Sequence, residues 1–192
     1  MTKLIKPTDF IRKLQDNEKL TKINLRNYNI NSNDLKLLSG ALKNNKTVTH
    51  INLHNTNIYD DGAKIVAKFL QNNTTVTKID LSNNNISDKG AIKLAKFLEN
   101  NRTIKRLYLS GNNIGDDGAR QLVKALEINR TLSELRLNDN VFNHSVVKEL
   151  GEMIKDNKKI VSKIRIDSSS IEDDNVSISD ALEVLIMGLI QI

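Results

Sequence analysis

The apolar positions of this chain recur every 28 residues. Leu20, Val48, Val76, Ile104 and Leu132 share one position. Three residues on stand Ile23, Ile51, Ile79, Leu107 and Leu135, and two further on Leu25, Leu53, Leu81, Leu109 and Leu137. After the following turn the row reads Ile30, Ile58, Ile86, Ile114 and Phe142. A fixed period of this length marks a solenoid of stacked units.

Residues 76–103 show how one unit folds. Ile79 and Leu81 alternate with Lys78, Asp80 and Ser82, which predicts a short half-buried strand. Asn83, Asn84 and Asn85 supply turn chemistry. Asp88 is placed to cap the next helix, with Ser32, Asp60 and Asp116 in the same row. Ala91, Leu94, Ala95 and Leu98 form one helical face. Asn100 and Asn101 are expected to end the helix through a left-handed cap. Each unit therefore reads strand, turn, helix, turn, and only stacking buries both apolar sides. Strands stack ~4.8 Å apart and helices ~8–10 Å apart, so the stack must curve with its strands inside. The expected fold is α/β: a right-handed solenoid, an open horseshoe arc of six strands. Parallel strands line its concave face and helices its convex face.

Residues 1–192 are expected to form one domain. Residues 1–19 read as a capping half-repeat, with Thr8 capping a short helix and Phe10 and Leu14 continuing the inward rows. Residues 20–159 hold five repeats, and 160–192 a degenerate sixth repeat and a C-terminal helix. The sixth strand, Val161, Ile164 and Ile166, arrives one residue late. The last helix, residues 181–192, is apolar all round, so it should be buried. It either caps the last strand or docks a second chain, which would give a homodimer. Twelve residues are too few to span a bilayer.

The pattern LxxIxLxxNNI, carried at 104–114 by Ile104, Leu107, Leu109, Asn112 and Ile114, resembles a leucine-rich repeat. The 28-residue length and the pairs Gly62-Ala63, Gly90-Ala91 and Gly118-Ala119 resemble the ribonuclease-inhibitor-like subclass. Tropomodulins, Ran GTPase activators and the sensor ends of NOD-like receptors belong to that broad group. The resemblance covers roughly residues 9–171 and implies a recognition surface. It also implies a buried asparagine in each turn, met here by Asn84, Asn112 and Asn140, with Ser169 in the last unit. Tyr28 and Thr56 stand there in the first two repeats, so those turns are expected to be less tightly fixed.

Composition adds little chemistry. There is no cysteine, hence no disulfide and no thiolate. The start lacks the apolar run of a signal peptide, so an intracellular, cytoplasmic location is expected, delivery into another cell being left open. His50 and His54 lie about 13 Å apart along a strand, too far to share a metal. With no phosphate loop, metal set or catalytic constellation, no cofactor and no enzymatic activity are expected. The sequons at Asn45, Asn73, Asn101 and Asn129 fall in one row, so turn structure accounts for them.

The net charge of +6 is spread over strand and helix faces, which disfavours a dedicated nucleic-acid groove. Outward strand residues supply the candidate binding surface. One row reads Lys22, His50, Lys78, Arg106, Glu134 and Lys163; the next reads Asn24, Asn52, Asp80, Tyr108, Arg136 and Arg165. Tyr and Arg are favoured interface anchors, so Arg106, Tyr108 and Arg136 are the expected centre. The partner-binding set is Lys22, His50, Lys78, Arg106, Tyr108, Arg136 and Arg165. The function that follows is a non-catalytic protein-interaction scaffold taking an acidic or mixed-charge protein partner on its concave face. The alternatives are a Ran GTPase activator-like regulator and a tropomodulin-like actin-binding module.

Overall fold

A computed structural model describes residues 20–143, 146–150 and 164–166, together with Thr8 and Ile11. The order is β1 (Lys22–Asn24), α1 (Ser32–Leu42), β2 (His50–Asn52), α2 (Tyr59–Gln71), β3 (Lys78–Asp80), α3 (Asp88–Asn100), β4 (Arg106–Tyr108), α4 (Asp116–Ile128), β5 (Glu134–Arg136) and β6 (Ile164–Arg165). The strands form one parallel sheet in chain order, from β1 to β6. Each residue pairs with its equivalent in the next repeat, as Ile23 with Ile51 and Ile51 with Ile79. The result is an arc-like α/β solenoid of leucine-rich-repeat type.

The leucine and isoleucine rows are the core. Ile23, Ile51, Ile79, Leu107 and Leu135 are buried, as are Leu25, Leu53, Leu81, Leu109 and Leu137 and the row from Ile30 to Phe142. The helices contribute Ala91, Leu94, Ala95 and Leu98 and their equivalents, with Phe69 and Phe97 added from a neighbouring row. Thr8 and Ile11 are helical and Ile11 joins the core. Phe10, Leu14, the late part of the sixth repeat and residues 181–192 lie outside the described residues.

Three polar rows tie the repeats together. Asn27, Asn55, Asn83, Gly111 and Asp139 occupy one turn position, all with positive φ between 53° and 65°. Asparagine and glycine adopt this conformation most readily. One residue further, Asn112 accepts N–H bonds from Asn84 and Ile86 of the preceding repeat, both at 3.0 Å, and its Nδ2 donates to Leu81 and Leu109 carbonyls. Asn84 does the same for Thr56 and Ile58. The second turn is not loose, contrary to expectation. Thr56 is buried and its hydroxyl donates to the Leu53 carbonyl at 2.7 Å. A shorter side chain satisfies the same backbone. Tyr28 makes no equivalent side-chain bond among the described residues.

The aspartate row works differently from the capping expected of it. The residues flanking the helices are Asn31, Ser87 and Gly115, one position earlier. Asp88 instead reaches across to the next repeat, accepting from Gly115 N–H at 2.7 Å and Gly118 N–H at 2.8 Å. Asp60 likewise takes Ser87 and Gly90 N–H groups and the Ser87 hydroxyl. Each carboxylate thus sits at the positive N-terminal end of the following helix. The glycine of each Gly-Ala pair leaves room for that reach. A Cβ on Gly118 would stand 2.5 Å from Asp88 Oδ1 and 2.8 Å from Ile114 Cγ2.

At the helix ends, Asn101 and Asn129 are extended, with φ of −76° and −75°, rather than left-handed. The stop comes from their side chains. Asn101 Oδ1 accepts N–H bonds from Thr103 and Ile104, and Asn129 Nδ2 donates back to Leu98 and Asn101 carbonyls. The sequon asparagines Asn73, Asn101 and Asn129 are therefore buried and hydrogen-bonded. Tyr59 is the odd member of the flanking row. It starts α2 with φ of 52° and an exposed ring.

Candidate functional site

Parallel pairing without register slip stacks the outward side chains in rows. Lys22, His50, Lys78, Arg106 and Glu134 stand side by side across five strands. Asn24, Asn52, Asp80, Tyr108 and Arg136 form the row beside them. Arg165 pairs in register with Arg136, and its side chain lies outside the described residues.

The two ends of this face differ in charge balance. Around β4 and β5 the charges satisfy one another. Glu134 accepts from Tyr108 OH at 3.1 Å and from the Arg136 guanidinium at 2.7 Å. Burial alone would raise the Glu134 pKa, but the hydrogen bonds from Arg136 and Tyr108 outweigh it and hold the carboxyl below its ordinary value. Arg136 also lies over one side of the Tyr108 ring, 4.2 Å from its centroid, and Lys78 Nζ lies 4.5 Å from the same centroid. These cation–π contacts are worth roughly 0.5–1 kcal/mol each near a surface. They leave Tyr108 only 8% exposed. The cluster expected from the sequence, Arg106 with Tyr108 and Arg136, is thus built from Lys78, Tyr108, Arg136 and Glu134, with Arg106 exposed beside Glu134. Glu134 was the member that sequence reasoning left out of the set. Its place opposite Arg106 in the row was the available signal.

Around β1–β3 there is no such compensation. Lys22, His50 and Lys78 line a shallow cavity of about 240 Å³ with Asn24, Asn52 and Asp80. Among the described residues neither lysine forms a salt bridge. Burial, and then the charges of Lys22, Arg106 and Lys78, depress the His50 pKa. Among the described residues no group of three or more His, Cys, Asp or Glu side chains could hold a metal ion. No helix there is long and apolar enough to cross a membrane.

A regular parallel sheet face carrying charged side chains above an apolar core of stacked repeats defines a leucine-rich-repeat module. The TMOD/LMOD leucine-rich domain matches residues 67–173, more than half of the chain. The chain belongs to that family, the leucine-rich domains of the tropomodulin and leiomodin type. Among solved structures, the tropomodulin C-terminal domain from Caenorhabditis elegans is similar at 15% identity and a TM-score of 0.56, covering 96% of this chain and 92% of that one. A leiomodin-1 structure described as Actin-Binding Site 2 is 20% identical with a TM-score of 0.49, covering 95% of this chain and 87% of that one. A sequence search of curated proteins finds no match.

Proposed function

We propose that this chain is a tropomodulin-like actin-binding module that engages its partner through the strand-lined face. The match to the TMOD/LMOD leucine-rich domain over residues 67–173 carries this reading. It favours actin over an unspecified partner and over a small GTPase, for which no comparable observation exists. The contact set is Lys22, His50, Lys78, Arg106 and Arg136, with Tyr108 as the ring on which Lys78 and Arg136 are held. Arg165 extends the set by its register with Arg136. The 28-residue repeat and the Gly-Ala helix starts support placing the repeats in the ribonuclease-inhibitor-like subclass.

The test is co-sedimentation with actin filaments, alongside a monomer-binding titration with fluorescent actin. Saturable binding to either form is expected. Replacing Lys78, Arg106 and Arg136 by glutamate should weaken it at least tenfold while the far-ultraviolet circular dichroism stays unchanged. Absence of binding to both forms refutes the proposal, and undiminished binding by the folded triple variant refutes the assignment to this face.

A further inference from the structure

Like charges directly opposite one another on neighbouring strands destabilise a sheet. In the row from Lys22 to Arg106, Lys78 stands directly opposite Arg106, and Lys22 and Lys78 flank His50. At β4–β5, by contrast, the same row continues with Glu134, which pairs with Arg136 and Tyr108 of the neighbouring row. In the cavity across β1–β3 the described charges are two lysines against one carboxylate, and Asp80 is already engaged as acceptor from Ser82 N–H at 3.0 Å. Arg106 of β4 adds a further cation beside them. His50 stands at the centre of the cationic row, half-buried, with Lys22 on one side and Lys78 on the other.

Resting on the reading that the strand face binds the partner, we propose that the cavity between Lys22, His50 and Lys78 is a proton-gated docking site for an acidic, extended peptide segment. Strands ~4.8 Å apart put Lys22 and Arg106 about 14 Å from each other along the row. An extended peptide running across the strands places the side chains of residues i, i+2 and i+4 on one side, over about 13 Å. Three carboxylates on that side match the basic row. A single-stranded nucleic acid fits less well, because the Tyr108 ring that would stack a base is covered by Lys78 and Arg136.

The histidine supplies the gate. Its Nδ1 bonds the Thr49 hydroxyl at 2.8 Å, and that hydroxyl also reaches the Thr21 carbonyl at 3.2 Å. With the hydroxyl donating to the carbonyl and accepting from Nδ1–H, an added proton goes to Nε2. Burial first, and then the charges of Lys22, Arg106 and Lys78, oppose that proton in the empty site. A bound carboxylate reverses the local field, so binding takes up a proton. Protonation raises the net charge of the cavity from one positive unit to two. One added charge at about 4 Å in water is worth roughly a fivefold change in affinity.

The probe is a fluorescent hexa-aspartate peptide, titrated at pH 7.5 and pH 5.5 at fixed salt, with calorimetry in buffers of different ionisation enthalpy. Binding should tighten roughly fivefold at the lower pH, with net proton uptake. In His50→Gln the pH dependence and the proton uptake should both vanish. In the exposed-site variant Lys22→Gln affinity should fall at both pH values while the proton uptake persists. A pH-independent affinity, a His50→Gln variant that keeps the proton uptake, or oligothymidylate of equal charge displacing the peptide overturns the proposal. Filament co-sedimentation of the same samples separates the two readings. Actin binding without peptide binding overturns this docking site alone, and peptide binding without actin binding overturns the actin reading alone.

Discussion

Replacing Asn112 by alanine should be among the most damaging single changes to the solenoid. The side chain is 3% exposed and joins two repeats. Its Oδ1 accepts from the Asn84 and Ile86 N–H groups, each at 3.0 Å, and its Nδ2 donates to the Leu81 carbonyl at 3.0 Å. Alanine leaves two buried donors and one acceptor without a side-chain partner. A buried unsatisfied group costs about 1–3 kcal/mol, and water can relieve part of this, so we expect a loss of about 4 kcal/mol. That is a large share of the roughly 5–15 kcal/mol that holds a domain together, and corresponds to a fall in Tm of about 10 °C for a chain of this size. The assay is urea unfolding followed by circular dichroism, with the exposed neighbour Asn113→Ala as control. The control should stay within about 0.5 kcal/mol of the parent. Because Asn112 bonds across a repeat boundary, the variant should also unfold less cooperatively, with a smaller m value. A loss below about 1 kcal/mol, or one matched by Asn113→Ala, refutes the reasoning.

Two helical glycines, each followed by alanine, should respond in opposite directions. Gly118→Ala drives a Cβ to 2.5 Å from Asp88 Oδ1 and should destabilise by about 2 kcal/mol in thermal unfolding; Gly40→Ala meets nothing within 4 Å and should stabilise by roughly 0.5–1 kcal/mol. Glu134 has its pKa lowered on folding, so its contribution is present above the ordinary carboxylate pKa and is lost as pH falls through the folded value. Glu134→Gln should therefore lose less stability than the parent between about pH 5 and pH 3, measured by urea midpoints at each pH.

The repeat period made the apolar rows legible because burial demands the same residue class at the same place in every unit. Ile79, Leu81 and Ile86 could be placed in the core from spacing alone, and they lie there. The aspartates were harder. Local capping rules look two or three residues ahead, whereas Asp88 bonds Gly115 and Gly118, 27 and 30 residues away. The signal was present as a constant offset from an aspartate to a Gly-Ala pair. The second turn misled for a similar reason: Thr56 looked like a missing asparagine, yet its hydroxyl and Asn84 of the next repeat share the work. On the strand face, row membership was readable from alternation. Side-chain reach was not, and it is reach that lays Lys78 rather than Arg106 on Tyr108.

The cross-repeat bonds have a bearing on how such a chain can change its length. Donor and acceptor rows recur with the same offsets, so every repeat presents a socket on one side and a plug on the other. Excising residues 76–103 would bring Asp60 to Gly115 and Gly118, where Asp88 now stands. It would also bring Asn112 to the Thr56 and Ile58 N–H groups now held by Asn84. Loss or duplication of whole units therefore reseals the scaffold, whereas removing a number of residues that is not a multiple of 28 throws the donor and acceptor rows out of register. The arc can lengthen or shorten in steps of one repeat while the charged face is retuned independently, strand by strand.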